Sequence, residues 1–202
     1  MRNITFDLSS LHEHGPAYFD YLKLRKRFFV DHLKWDVPHN ELYEMDQYDN
    51  PLAWYSLVVE DGRVLGGARV MPTSSVWGKH TYMMGDAAEG RLESIPREAM
   101  PANVNSPDVW EMTRLVLSDS LTDPYDRRAA LQLICDGCIG IVQMHDCAEL
   151  RAMSSLAMLR VLRQAGYPVD RMGETWRDPG DGRQYSAMKM DIAPISHAIA
   201  AE

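Results

Sequence analysis

The chain has 202 residues, 46% hydrophobic and 25% charged, an ordinary globular composition read as one domain over residues 1–202 rather than a disordered or fibrous chain. Lys and Arg number 21 against 29 Asp and Glu, a net charge of −8; this argues against nucleic acid, because the field repels phosphate. No run of about 18 uncharged apolar residues is present to span a membrane.

Taken in chain order, Met1-Arg2-Asn3-Ile4-Thr5-Phe6-Asp7 has no apolar run of the signal-peptide kind. Residues 17–30 place Tyr18, Tyr21, Leu22, Phe28 and Phe29 at helical spacing, with Lys23, Lys26 and Arg27 elsewhere around the wheel. Residues 36–51, rich in Asp, Asn and Pro, form a long acidic loop, and a loop of that length in a compact domain is usually functional or disordered. Residues 54–59 and 64–71 read as two strands joined at Asp61-Gly62, a strong hairpin signal. Residues 72–105 are loop-rich, with one short helix near Asp86.

A strand is expected over 109–117. Asp123-Pro124 then starts a helix running to about His145, because a capping acid followed by proline marks a helix start. Cys135-x-x-Cys138 could be a redox or zinc half-site, but no second Cys pair accompanies it and three-residue spacing puts both on one helix face, so they read as buried structural residues. With Cys147 the three cysteines are odd in number and close together, so no disulfide framework is expected and a cytoplasmic, reduced protein follows. A short strand over 150–154, a helix over 156–164 stopped by Gly166 and a last strand over 185–191 complete the order. Strands come first as a meander and later alternate with helices, which gives an α/β or α+β class with a mixed sheet.

The charged residues that stand out lie in apolar settings: Arg25 on the apolar side of the first helix, Asp46 and Asp49 in the acidic loop, Arg69 at the end of the second hairpin strand, and Glu111 and Arg114 on the strand after Val109-Trp110. Three acids and three bases balance, and a balanced cluster is buried at a tolerable cost where a lone charge is not. Such a set suits an ion-pair network that pins the loop to the sheet. It suits equally a cleft for a zwitterion, with carboxylates for an ammonium and guanidiniums for a carboxylate.

The ordered series Arg25-x-x-x-Phe29-x5-Trp35, Asp46-x-x-Asp49, Arg69 with Met71-Pro72-Thr73, and Trp110-Glu111-x-x-Arg114 resembles the signature of the acyl-homoserine-lactone synthases, and Met158-Leu159-Arg160 before Gly166 is similar too. The chain departs from that pattern where relatives carry an aromatic after the Pro-Thr motif and this chain has Ala88. The resemblance implies an α/β, three-layer sandwich with a mixed, mostly antiparallel sheet, like that of the GCN5-related N-acetyltransferases. It implies that the amine of S-adenosylmethionine attacks an acyl thioester, carried by acyl carrier protein or coenzyme A, and that the methionyl carboxylate then expels methylthioadenosine and closes a lactone. S-adenosylmethionine is a substrate here, so neither cofactor nor metal is expected.

Within that reading, Arg25, Phe29, Trp35, Asp46 and Asp49 hold S-adenosylmethionine, the aromatics by stacking and cation–π contact. Glu111, Arg114 and Arg69 form the catalytic set. Glu111 is the candidate base, but pairing with Arg114 would lower its pKa and leave it an electrostatic role. Met112, Met144 and Met153 are candidates for the acyl pocket, because Met fills irregular apolar space, and the resemblance implies that Ser154 joins them with a hydroxyl that senses the third carbon of the acyl chain. Arg151, Arg160, Arg163 and Lys189 are the candidate basic face for an acidic carrier protein. The competing class, an acetyl-coenzyme A-dependent N-acetyltransferase, would need a glycine-rich phosphate loop, and residues 118–128 hold no glycine and three aspartates.

Overall fold

A computed structural model describes residues 1–193. Seven strands form one sheet in the order β1-β2-β3-β4-β5-β7-β6: β1 Arg2–Asp7, β2 Trp54–Glu60, β3 Arg63–Pro72, β4 Val109–Leu117, β5 Glu149–Ser155, β6 Asp170–Arg177 and β7 Gln184–Asp191. Among the described residues only β4 and β5 pair in parallel, so the sheet is mixed and mostly antiparallel, as the resemblance implies. Helices α1 (Ala17–Arg25) and α2 (Met83–Ala88) cover one face, and α3 (Pro124–Met144) and α4 (Leu156–Gln164) the other.

The two strands absent from the sequence reading, β1 and β6, are the two edges of the sheet. β1 buries only Ile4 and Phe6, and β6 is mostly exposed, so neither carries the apolar run that reveals a central strand; polar, charged edges also discourage pairing with other chains. The β2–β3 turn forms as its sequence requires: Asp61 and Gly62 both have positive φ, 49° and 73°, the pair a tight hairpin needs. Asp123 caps α3 by accepting from the N–H groups of Tyr125 and Asp126, with Pro124 in the first turn.

Three features of this frame position the site. On α1, Tyr18, Tyr21, Leu22 and Arg25 are all buried, so a guanidinium occupies a core position of the helical stripe. Gly67 on β3 allows the approach, since a Cβ there would meet the side chains of Leu57 and Tyr21. Beyond Arg25 the helix widens into a π-helical turn over Lys26–His32, where the Leu33 N–H donates to the Phe28 carbonyl at 3.0 Å; such turns occur often at functional sites. Trp35 follows directly after Lys34, whose φ is 61°.

Candidate active site

Strands β4 and β5 are paired only from Val109 to Met112 against Glu149 to Ala152, and beyond those rungs they diverge. In the same stretch β4 carries a bulge: Gly67 faces Val116 but Arg69 faces Thr113, and Arg114 has a φ of 57°. The extra residue keeps Arg114 on the α1 side of the sheet, together with Thr113 and Val116, and such bulges commonly re-aim a side chain beside an active site. A cavity of about 450 Å³ fills the splayed region. Phe29, Trp35, Asp46, Tyr48 and Arg114 line one end, and Met112, Met153, Ser154, Met158 and Met188 line the other.

Behind the polar end lies a buried ion-pair network. The Arg25 Nε donates to Glu44 at 2.5 Å, and its two terminal nitrogens donate to the two oxygens of Asp49 at 2.8 and 2.9 Å. Arg69 donates to Asp46 at 2.6 and 3.3 Å and to the Thr113 hydroxyl at 3.1 Å, and lies 2.8 Å from Asp49. Arg114 donates to Glu44 at 3.1 Å and reaches Asp46 at 2.7 Å. Its guanidinium stands 5.3 Å from the centre of the Phe29 ring. Burial pushes Asp49 and Asp46 up, but Arg69 with Arg25 outweighs it for Asp49, and Arg69 with Arg114 outweighs it for Asp46. Both carboxyls are held below their ordinary range.

The sequence reading is corrected in four respects. Glu44, fully buried, was not singled out, yet it bridges Arg25 and Arg114 and supplies the third acid of the balanced set. Glu111, in contrast, does not pair with Arg114: its carboxylate accepts from the backbone N–H groups of Met83 and Met84, both at 2.8 Å, at the start of α2. Burial raises Glu111 to about 7, against the lowering effect of those two N–H groups and of Arg69. Third, only Asp46 and Arg114 of the network line the cavity; Arg25, Asp49 and Arg69 stand behind that wall, their charges taken up by one another. Fourth, Met144 ends α3 on its solvent side and is 62% exposed, so it does not belong to the acyl pocket.

The four basic residues do not share a face either. Along β5, Leu150 and Ala152 pack towards α4, whereas Arg151 and Met153 point the other way. Arg151 and its cross-strand neighbour Lys189 therefore lie on the opposite side of the sheet from Arg160 and Arg163. Arg151 and Lys189 are both paired with Glu149, and Arg163 with Asp170. Cys135 and Cys138 are buried and unbonded, and burial raises both thiols.

Two further groups escaped the sequence reading. Asp86, fully buried, accepts from the hydroxyl of Tyr48 at 2.8 Å and from Arg91 at 2.7 Å, and so fixes the tyrosine whose ring lies 5.6 Å from the Arg69 guanidinium. On the other side of the cavity Trp35 stacks on Phe29, with centroids 5.0 Å apart. Its indole N–H donates to Asp181 at 3.1 Å. Asp181 sits in the Asp178-Pro179-Gly180-Asp181-Gly182 run, which reads as a turn and nothing more.

Solved structures share this fold of a mixed, mostly antiparallel sheet with helices on both faces. An acyl-CoA N-acyltransferase from Pseudomonas aeruginosa aligns at a TM-score of 0.56 with 12% identity, over 93% of this chain and 97% of that one. TofI, solved in a ternary complex with an inhibitor and MTA, aligns at 0.74 with 23% identity, over 95% and 92%. BjaI, described as a CoA-dependent acyl-homoserine lactone synthase with SAM and isopentyl-CoA, aligns at 0.72 with 19% identity, over 94% and 82%. In sequence, the acyl-homoserine-lactone synthase of Acinetobacter nosocomialis is 29% identical over 164 residues, 77% of this chain and 82% of its own length. The autoinducer synthase family model matches residues 10–192. The chain belongs to the autoinducer synthase family and is an acyltransferase, an acyl-homoserine-lactone synthase. Among the described residues no helix is long and apolar enough to cross a membrane.

Proposed function

We propose that the cavity holds S-adenosylmethionine at its polar, aromatic end and the acyl chain at its methionine-lined end, so that the amine meets the thioester in the gap between β4 and β5. The observation that carries this reading is one cavity in which an ion pair, Asp46 with Arg114, and an aromatic stack, Phe29 on Trp35, face Met112, Met153, Ser154, Met158 and Met188. Asp46 takes the ammonium, Arg114 the carboxylate, and the two rings the sulfonium and adenine. Arg25, Asp49, Arg69 and Glu44 hold those two groups in place from behind. A charge-bearing wall built this way is fixed before substrate arrives, which is how binding energy is kept for orientation.

The first step needs a neutral amine. Its nitrogen attacks the thioester carbonyl, the C–N bond forms, the C–S bond breaks, and the thiolate leaves with the proton. Thr113, Arg114 and Leu115 line the cavity where β4 has left its pairing with β5, so backbone N–H groups there are the nearest donors for the oxyanion. Glu111 lies one layer behind Met83, whose side chain lines the cavity. A carboxyl raised to about 7 is suited to relay a proton at neutral pH. In the second step the methionyl carboxylate attacks the carbon attached to sulfur, expels methylthioadenosine and closes the lactone.

The donor in this reading is acyl carrier protein. The start of α3, where a coenzyme A pyrophosphate would seek free N–H groups, is already capped by Asp123, and Asp119 and Asp126 stand beside it in sequence. A carrier-bound arm needs no pyrophosphate cradle. The test incubates the purified chain with S-adenosylmethionine and either hexanoyl carrier protein or hexanoyl-coenzyme A, and follows free thiol and methylthioadenosine. Equal release of both, with the N-acyl lactone found by mass spectrometry, is expected, faster with carrier protein. Thiol release without methylthioadenosine would instead indicate a simple N-acyltransferase.

A further inference from the structure

The β6–β7 turn comes up against the aromatic end of the cavity, and one carboxylate joins the two. Asp181 Oδ2 accepts from the Trp35 indole at 3.1 Å and from the Tyr185 hydroxyl at 2.5 Å, while Oδ1 accepts from the Arg183 N–H at 2.8 Å. The turn is itself well fixed. Asp178 accepts from the N–H groups of Gly180 and Asp181 at 2.8 and 3.1 Å, and Arg177 donates to the Gly182 carbonyl at 2.5 Å. Trp35 and Tyr185 line the cavity but Asp181 does not. Its oxygens are already engaged by three donors, and Trp35 is 146 residues away in the chain. Without that bond the Trp35 indole would be held only by ring contacts with Phe29 and Tyr185, while its backbone N–H still donates to the Phe29 carbonyl.

We infer that Asp181 is a positioning residue for S-adenosylmethionine: it fixes the plane of the Trp35 indole, and with it the aromatic wall formed by Phe29, Trp35 and Tyr185. The inference rests on the reading that this wall binds S-adenosylmethionine. It assigns to the C-terminal hairpin a part in a site otherwise built from residues between Arg25 and Arg114. Because the carboxylate acts through Trp35, its removal weakens binding of one substrate and leaves the acyl end of the cavity alone. An isosteric amide retains one carbonyl oxygen for the indole and the phenol, so it restores most of the effect.

The experiment is a double-mutant cycle between Asp181→Ala and Trp35→Phe, the latter deleting the indole donor without touching the turn. S-adenosylmethionine affinity is measured by calorimetry, and KM for both substrates by methylthioadenosine release. Asp181→Ala should raise the dissociation constant and KM for S-adenosylmethionine roughly tenfold, about 1.4 kcal/mol, with kcat and the acyl-donor KM within about twofold. Asp181→Asn should recover most of the loss, and in the Trp35→Phe background Asp181→Ala should add less than about twofold. A full tenfold effect persisting in that background would mean that Asp181 does not act through Trp35. If Asp181→Ala does not fold, Trp35→Phe alone must still weaken S-adenosylmethionine, and a Trp35→Phe chain with wild-type constants overturns the inference. A wild-type chain that binds no S-adenosylmethionine overturns this and the functional reading together; a wild type that binds it and an unaltered Asp181→Ala overturn this one alone.

Discussion

Replacing Glu44 by Gln tests whether the buried network is held by charge balance. The network has three guanidiniums, Arg25, Arg69 and Arg114, against three carboxylates, Glu44, Asp46 and Asp49. Glu44 is fully buried and bonded to two of the three bases. Gln retains the shape and one acceptor oxygen, but turns an amide N–H₂ towards one of the guanidiniums. One positive charge is then left uncompensated inside the protein, which costs about 3–5 kcal/mol. That is a large part of the roughly 5–15 kcal/mol by which domains are stable. At about 2–4 °C per kcal/mol for a chain of this length, the melting temperature should fall by roughly 6–20 °C. Urea unfolding and thermal melts of Glu44→Gln, with Glu41→Gln from the exposed part of the same loop as control, provide the comparison. Methylthioadenosine release should fall with stability, since Glu44 also holds Arg114. A Glu44→Gln protein within about 0.5 kcal/mol of wild type would refute the account.

Glu111 gives a pH prediction with the opposite sign from an ordinary ion-paired carboxylate. Burial pushes Glu111 up to about 7, above the ordinary glutamate range near 4.5, so its contribution to stability is present below about pH 4.5 and lost as pH rises through 7, a change of about 3 kcal/mol. The stability difference between wild type and Glu111→Gln should therefore move in favour of the variant between pH 5 and 8, and a difference constant over that range would disprove the raised pKa. Met158→Trp narrows the apolar end of the cavity and should shift the product towards shorter acyl chains, read by mass spectrometry, with the S-adenosylmethionine KM unchanged. Arg160→Glu with Arg163→Glu reverses the charge on α4 alone. Because Arg151 and Lys189 lie across the sheet, the carrier-protein KM should rise less than about threefold, and a larger rise would show that α4 suffices as the docking face.

How much was legible in the sequence depended on whether a residue's neighbours in the chain are also its neighbours in space. Arg25 could be read because it interrupts an apolar helical stripe, and Arg69, Glu111 and Arg114 because they interrupt apolar strands. Glu44 could not: residues 36–51 carry Asp36, Glu41, Glu44, Asp46 and Asp49, and no local pattern shows which of these acids the fold buries. The signal that bears on it is tertiary, the donation of its N–H to the Leu22 carbonyl at 3.3 Å, which draws the loop onto α1. The pairing of Glu111 failed for a related reason. In a regular strand three-residue spacing puts two side chains on opposite faces; the bulge brings Arg114 round to the side of Glu111, but there Glu44 and Asp46 take its guanidinium and the N–H groups of Met83 and Met84 take Glu111. Asp181 was hidden in a sequence rich in Asp, Gly and Pro, which any turn would explain.

The division of the cavity into a charged end and an apolar end follows from the same two irregularities of β4. With four parallel rungs and no more, β4 and β5 separate and leave room for the cavity between them. With the bulge, the strand after Thr113 changes phase, so that Arg114 and Val116 rather than Leu115 face α1. In a regular strand Arg114 would share the face of Met112, among the apolar residues under α3 and α4, where a guanidinium has no carboxylate to meet and its burial would be prohibitive. The network can only assemble if the bulge forms, and the bulge, with a non-glycine residue at positive φ, is strained unless the network holds it. The Tyr21 hydroxyl, which donates to the Arg114 carbonyl at 2.8 Å, fastens the two together from α1. Charge, strand geometry and helix packing are thus mutually dependent at this point, which is why loss of Glu44 should be felt both in the stability of the fold and in the wall of the cavity.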